Sequence, residues 1–239
     1  MKFNRKVLIL GASSDIGLSI MRIYCEKNYE IIAHYNKGNK NFFNFAKNNR
    51  SVKTIKFNFL TSINKTEKFL KKKIFKNCSI FINASGYIKE MKFTKTKFSD
   101  LIDVLKVNFY PGFLLTQSLG PEMNKKKWGR IINLGSIGVK FGGGLKNFPY
   151  SFSKHSMEFF PNEIKAWTKN NVLINTIRVG ATQTKLHSNL PSKNLKKRAK
   201  IIPMGRMATP KEIAEFVYFL GSSENTYIAN QVLSISGGE

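Results

Sequence analysis

The sequence predicts an α/β fold, a doubly wound parallel sheet of about seven strands with helices on both faces. Three observations carry this expectation. Short apolar runs rich in Ile, Val, Leu and Phe recur along the 239 residues, with helix-length segments between most of them. A glycine turn, Gly11 to Gly17, joins the first such run to the first helical pattern. No internal repeat, low-complexity linker or composition break divides the chain, so residues 1–239 are expected to form one domain.

In order, the expected strands are Val7–Leu10, Ile31–His34, Val52–Phe57, Ser79–Asn83, Arg130–Leu134, Leu173–Arg178 and Val232–Ile235. The first six are short and apolar, as strands buried on both faces are. The expected helices are Ile16–Lys27, Thr66–Phe75, Phe98–Leu119, Tyr150–Asn170 and Pro210–Leu220. The last has a full set of boundary signals. Thr209 is its N-cap, Pro210 stands in the first turn, Glu212 follows the cap by three residues, and Gly221 ends it. Pro161 falls inside the fourth helix, which should kink about two turns past Lys154.

No apolar run approaches the roughly 18 residues that cross a bilayer. The stretch Val7–Leu10 is too short for a secretory signal, so a cytoplasmic protein without a membrane span is expected. Cys25 and Cys78 fit no metal spacing, nor do His34, His155 and His187, and no metal site is expected. The charge is strongly basic: 40 Lys+Arg against 14 Asp+Glu, a net +26. Two explanations stand, codon drift toward Lys, Asn, Phe and Ile, or an anionic partner such as an acidic carrier protein. Twelve of the cations and a single acid, Glu67, lie between Asn36 and Asn77. No nucleic-acid recognition motif is present, and no specific nucleic-acid partner is expected.

"LILGASSDIGLSI" fits a pyrophosphate turn. Gly11 permits the tight bend, and the free N–H groups of the helix start attract phosphate. A plain strand–helix turn capped by Ser13, Ser14 or Asp15 is the other reading. After the second strand the chain runs His34, Tyr35, Asn36, Lys37 with no acid to bind a ribose 2′-hydroxyl. That favours NADP(H), with NAD(H) as the alternative.

In "YSFSKHSMEFF", Tyr150 and Lys154 share a helix face at i and i+4. An ammonium beside a phenol would lower its pKa and make it a proton-transfer group; alone, the spacing also arises by chance. Fourteen residues earlier an apolar strand ends in Ser136, at the carboxyl edge where open α/β sheets bind ligands. Ser136 could there hydrogen-bond a substrate carbonyl while Tyr150 delivers a proton.

These motifs together resemble the short-chain dehydrogenase/reductase family of the compact, single-domain type, with its Rossmann-like fold. The resemblance spans nearly the whole chain: Gly11/Gly17, "NASG" at Asn83–Gly86, Asn108, Ser136, Tyr150, Lys154, "VGATQT" at Val179–Thr184 and the segment from Pro203 to Gly238. It implies Tyr150 as proton donor, Lys154 lowering its pKa and holding the nicotinamide ribose, Ser136 polarising the carbonyl, and Asn108 holding a water linked to Lys154. It implies cofactor contacts by Gly11, Ser13, Ser14, Asp15, Ile16, Gly17, Asn36, Lys37, Asn58, Asn83, Ala84, Gly86, Tyr150, Lys154, Val179, Gly180, Thr182 and Thr184. Three positions depart from the family: Asp15 for a middle glycine, Asn58 for an aspartate near adenine, and Val179 for a proline.

The implied activity is NADP-dependent reduction of a small-molecule carbonyl, or oxidation of a secondary alcohol, as in 3-oxoacyl-carrier-protein reductases. A reductase of sugar or surface-polysaccharide precursors and a non-catalytic cofactor-binding protein are the alternatives. Residues 137–149 and a lid at about 185–202 should shape the substrate pocket. Lys140, Lys146, Lys185 and Lys193 in these loops suit an anionic or carrier-linked substrate, and "NKKKWGR" at Asn124–Arg130 resembles a carrier-docking turn. A homodimer or homotetramer is implied by the family.

Overall fold

In strand β1 (Lys6–Leu10), Val7 and Ile9 point to one side and Leu8 and Leu10 to the other, all four inaccessible to solvent. Period-two alternation thus puts apolar groups on both faces, as a central strand covered by two helical layers requires. The computed structural model, which describes residues 5–185 and 195–239, builds on β1 a sheet with β2 (Glu30–Tyr35), β3 (Val52–Lys56), β4 (Ile80–Asn83), β5 (Gly129–Leu134), β6 (Val172–Val179) and β7 (Val232–Ile235). Their order is β3-β2-β1-β4-β5-β6-β7, and every neighbouring pair is parallel. All seven expected strands are present, and the doubly wound α/β class is the one observed. The order reverses between β1 and β4, which opens a crevice at their carboxyl ends.

Two cores flank the sheet. Val7, Ile9, Ile31, Ile82, Ile132 and Ile177 pack with Met21, Tyr24, Ile213, Val217 and Leu220 of helices α1 (Asp15–Glu26) and a C-terminal helix at Pro210–Gly221. On the other face Leu8, Leu10, Phe81, Ile131 and Ile174 pack with Phe69, Leu115, Leu119 and Met123. Those come from α3 (Ile63–Leu70) and α5 (Tyr110–Lys125). The C-terminal helix starts in the expected capping box: Thr209 N–H donates to Glu212 Oε2 at 2.7 Å, and Glu212 N–H to Thr209 Oγ1 at 3.3 Å.

The structure differs from expectation where proline and asparagine compete with helix. Phe98–Leu119 is not one helix but α4 (Phe98–Asn108) and α5, broken at Phe109. Pro111 offers no N–H to the carbonyl of Val107 and its ring crowds that turn. Tyr150–Asn170 is interrupted rather than kinked. α6 (Phe148–His155) gives way to a 3₁₀ turn at Ser156–Glu158, an extended link, and α7 (Asn162–Ala166), followed by a second 3₁₀ turn at Trp167–Asn170. Pro161, at φ −57° and ψ 150°, is the N-cap of α7 and pushes the residue before it out of helical space. Thr66–Phe75 resolves into α3, capped by Ser62, and a 3₁₀ turn at Lys73–Phe75. An unexpected helix, α2 (Lys40–Asn48), rests on one fully buried side chain, Phe42, and a cap from Asn39, whose Oδ1 accepts from Phe42 N–H at 3.0 Å. Helix α8 (Leu195–Lys200) lies within the expected lid, and the Pro210–Gly221 helix is α9. His187 and Lys193 fall outside the described residues.

At the amino edge of the sheet, Arg130 is 1% exposed, and among the described residues no carboxylate pairs with it. Its guanidinium donates to four backbone carbonyls: Ser222 at 3.1 Å, Gly129 and Asn171 at 2.8 Å each, and Asn225 at 2.8 Å. It also stacks over the Trp128 ring at 4.5 Å. One side chain therefore ties β5 to the segments before β6 and after α9. Burial lowers its pKa from the usual arginine value to about 10, which still leaves it charged at neutral pH.

Candidate active site

The crevice at the β1/β4 switch point is built by close backbone approach. Gly11 adopts φ +72°, and a Cβ there would stand 2.6 Å from the carbonyl oxygen of Ala84; a Cβ at Gly17 would stand 2.3 Å from that of Gly11. Both positions therefore require glycine. Gly11 N–H donates to Nδ1 of buried His34 at 3.4 Å, and Ala12 N–H to its carbonyl at 2.9 Å. Burial lowers the His34 pKa to about 4, which keeps the ring neutral and its Nδ1 free to accept. Ser14 is the α1 cap, accepting from Gly17 N–H at 3.0 Å, and Ser13 Oγ donates to the Lys37 carbonyl at 2.7 Å. The turn is thus held from below and from the β2 side.

A cavity of about 690 Å³ runs from this turn across the carboxyl ends of the strands. Of the residues singled out in the sequence, Ser13, Ser14, Asp15, Ile16, Ala84, Gly86, Ser136, Tyr150, Lys154, Val179, Gly180, Thr182 and Thr184 line it. Gly11, Gly17, Asn36, Lys37, Asn58, Asn83 and Asn108 do not. Gly11 and Gly17 shape the turn from beneath. Asn58 is exposed and accepts from Leu60 N–H at 3.0 Å, a local turn bond. Asn83 is 1% exposed, and its amide donates to the Asn108 carbonyl at 3.1 Å, fitting against Gly112, where a Cβ would meet it at 2.4 Å. The wall also holds Asn147 and Arg198, from the two segments expected to shape the pocket, and Ser85 of the NASG motif; sequence reasoning missed Asn39 and Glu239, of which only Asn39, beside the expected Lys37, had a local signal.

Ser136, at the end of β5, and Tyr150, on α6, hydrogen-bond through their hydroxyls. Lys154 is 3% exposed; its Nζ donates to the carbonyls of Ser85 at 2.9 Å and Leu134 at 2.8 Å, joining the ends of β4 and β5. Nζ lies 5.7 Å from the centre of the Tyr150 ring. Here the structure corrects an expectation: Tyr150 is not lowered by its neighbour. Burial raises it to about 12, with the Ser136 hydrogen bond acting the other way, while burial lowers Lys154 to about 7. A half-covered phenol and a covered ammonium, with no anion beside them, are each driven toward the neutral form.

Asn108 is fully buried. Its amide bonds Tyr87, accepting from N–H at 2.7 Å and donating to the carbonyl at 3.1 Å, and donates to Ser153 Oγ at 2.8 Å. Ser153 in turn donates to the Tyr150 carbonyl at 2.7 Å. Asn108 therefore ties the α4/α5 break to α6. Asp15 Oδ2 accepts from Lys185 N–H at 2.7 Å, so Asp15 links the glycine turn to the segment after Thr184. Thr182 Oγ1 donates to the Gly180 carbonyl at 2.9 Å, and Val179 pairs with Ile235 as an ordinary strand residue. His155 is exposed and pairs with Glu158 at 3.4 Å.

"NKKKWGR" lies at the other end. Lys125–Lys127 precede β5, whose six residues place them about 20 Å from the Ser136 edge. They adjoin a second cavity of about 940 Å³, walled by Trp128, Arg130, Asn171 and Asn230 and touching none of Asn108, Ser136, Tyr150 and Lys154. The expected docking turn therefore faces away from this chain's own cavity. No group of His, Cys, Asp and Glu suited to a metal ion occurs among the described residues, and no helix there is long and apolar enough to cross a membrane.

Comparison with known proteins agrees with this geometry. A family model described as enoyl-(acyl carrier protein) reductase matches residues 11–239. The 3-oxoacyl-[acyl-carrier-protein] reductase FabG of Buchnera aphidicola (Baizongia pistaciae) is 30% identical over 244 residues, covering 100% of this chain and 98% of that protein. FabG of Aquifex aeolicus is 34% identical over 160 residues, which span 66% of this chain and 64% of the relative. Among solved structures, a 3-oxoacyl (acyl-carrier-protein) reductase from Agrobacterium tumefaciens with NADP bound superposes with a TM-score of 0.86 at 19% identity, over 99% of this chain and 95% of that one.

Proposed function

The chain belongs to the short-chain dehydrogenase/reductase family, and from that premise we propose that it reduces the 3-oxo group of a carrier-linked acyl thioester with NADP(H). The observation that carries the reading is the hydrogen-bonded Ser136–Tyr150 pair, with Lys154 behind it, in one cavity with the glycine turn. The turn fits a dinucleotide: its glycines leave the Ser13–Ile16 backbone open to the crevice, and no acid follows β2 to repel a ribose phosphate. Ser13, Ile16 and Asn39 would hold the adenosine and phosphate portion, and Lys154, Val179, Gly180, Thr182 and Thr184 the nicotinamide portion. When bound, the nicotinamide supplies the hydride. Ser136 and Tyr150 direct two hydroxyl donors at the carbonyl oxygen, and Tyr150 passes its proton to that oxygen. At about 12 the phenol is protonated throughout the neutral range, as a donor must be. Lys154 keeps one N–H free of the backbone for the cofactor ribose. Asn108 acts as a positioning residue.

The substrate reading draws on the named activity of the relatives and on Lys185 and Arg198 in the cavity wall. It is tested with NADPH and three substrates: a 3-oxoacyl thioester on a carrier protein, the matching enoyl thioester, and a free ketone. Preference for the first is expected. Equal rates on the free ketone remove the carrier, and turnover of the enoyl thioester alone replaces carbonyl reduction by the reaction named for the family model. Phe93, Phe98 and Phe152 are exposed around α4 and α6 and are assigned to contact with a second copy, as a homodimer or homotetramer; light scattering that finds a monomer at working concentration removes this.

Asp15 gives a separate expectation. Its carboxylate sits where phosphate is to bind, and a charge repulsion of about 1 kcal/mol near a protein surface is ordinary. Asp15→Asn is expected to bind NADPH about fivefold more tightly by fluorescence titration. Unchanged or weaker binding means that the contact with Lys185 outweighs the repulsion.

A further inference from the structure

Glu239 lies in the cavity wall, its side chain 8% exposed. One oxygen, Oε1, is paired with Arg198 Nη1 of α8 at 2.5 Å. The other, Oε2, is buried without any hydrogen-bond partner. A second acceptor in the same wall, Asn147 Oδ1, is also buried and unpartnered. Asn147 stands three residues before Tyr150, on the side formed by the loop after Ser136. Buried acceptors without a donor are costly, and a carboxylate oxygen more so than an amide. Lys154, Thr182 and Asp15 of the same cavity, by contrast, have partners within the protein. Among the described residues Ser85 Oγ, whose residue adjoins Lys154, is a further buried and unpartnered atom in the cofactor half.

We propose that Glu239, with Asn147, forms a donor-recognition subsite that accepts an N–H or O–H group of the substrate at a distance from the reacting carbonyl. The Glu239 oxygen is covered here, so the substrate reaches it through a rotamer change of Glu239 or Arg198, the latter's side chain being 27% exposed, and reaches Asn147 in the same wall through that side chain's own rotation. The proposal rests on the reductase reading and sharpens it, because it states what the non-reacting part of the substrate must carry. Two sources present such donors: the amide N–H groups of an acyl-carrier arm, and the hydroxyls of a sugar. The shared chemistry is the donor.

The test compares matched substrates. A 3-oxoacyl N-acetylcysteamine thioester carries one amide N–H; an S-alkyl thioester of the same acyl chain and similar length carries none. A hydroxylated ketone and its deoxy counterpart form the second pair. For the wild type, Glu239→Gln and Glu239→Leu, the quantity read is the donor/no-donor ratio of kcat/KM within each pair. A subsite predicts a ratio about tenfold lower in Glu239→Leu and about threefold lower in Glu239→Gln, which keeps an acceptor. A drop in the thioester pair alone assigns the carrier arm, and a drop in the ketone pair alone assigns a hydroxylated substrate. If both ratios stay constant while overall activity falls, Glu239 merely anchors α8 and the proposal is wrong. Equilibrium binding of the same compounds reads the same ratios without turnover, so absence of reductase activity would defeat the functional reading while leaving this one decided. Glu239→Gln, nearly isosteric, carries the test if the leucine variant does not fold.

Discussion

Tyr150→Phe is expected to lower kcat for carbonyl reduction by about 10³-fold, the range for losing a positioned general acid, while leaving NADPH affinity within about threefold. The substitution removes one oxygen. The ring stays in place, Ser136 keeps its bond to Gly138 N–H at 3.2 Å, and Lys154 keeps its two carbonyls. Stopped-flow reduction at saturating NADPH, with a parallel cofactor titration, separates the two quantities. Retention of a tenth or more of the rate assigns the proton to another group. The pH dependence adds a signature. kcat/KM for NADPH reports the free enzyme, in which Lys154 is protonated below about 7 and neutral above it. That parameter should therefore decline as pH rises through about 7, and Lys154→Arg, charged at every accessible pH, should abolish the decline.

Arg130→Met should be the most damaging substitution for stability. Methionine fills much of the volume but donates nothing, so the carbonyls of Ser222, Gly129 and Asn225 lose the guanidinium at once, while that of Asn171 keeps Gly129 N–H at 3.2 Å. At about 1–3 kcal/mol for each acceptor that water cannot reach, and with some of these carbonyls regaining water at the edge, a loss of about 4 kcal/mol is expected. For a chain of this size that lowers Tm by roughly 8–16 °C. Differential scanning calorimetry decides it: a shift under about 3 °C means that the loops beside β6 and after α9 re-form their bonds without the guanidinium. Activity per folded molecule should change little, because Arg130 lies at the amino edge of the sheet.

The parts of this fold that could be read from the sequence are those fixed by local chemistry repeated along the chain. Val7–Leu10 and Leu173–Arg178 stand out because a central parallel strand is apolar on both faces, and Thr209-Pro210-x-Glu212 because a capping box is written in four residues. What escaped depends on distance or competition. The break at Phe109 follows from Pro111, a signal present but outweighed by the apolar periodicity on either side. At Phe159–Pro161 the sequence predicts only a kink, because a proline shows where helix fails, not how far the chain departs. In the site, Ser136, Tyr150 and Lys154 were legible as types at a spacing, yet the shift of Tyr150 came out with the opposite sign, since burial is a property of the assembled crevice. Glu239 and Arg198 meet across 40 intervening positions with no motif between them; only folding brings β7's end to α8.

Lys154 has a consequence for how its chemistry is to be dissected. An amine that has lost its charge still owns two hydrogens, and two is the number that the carbonyls of Ser85 and Leu134 engage. The proton that titrates is thus a surplus one, and alkali strips the reactive property while the rivet between two strand ends survives. Truncating the side chain to alanine destroys both at once. Acidity, not truncation, is the scalpel that separates reagent from fastening at this position.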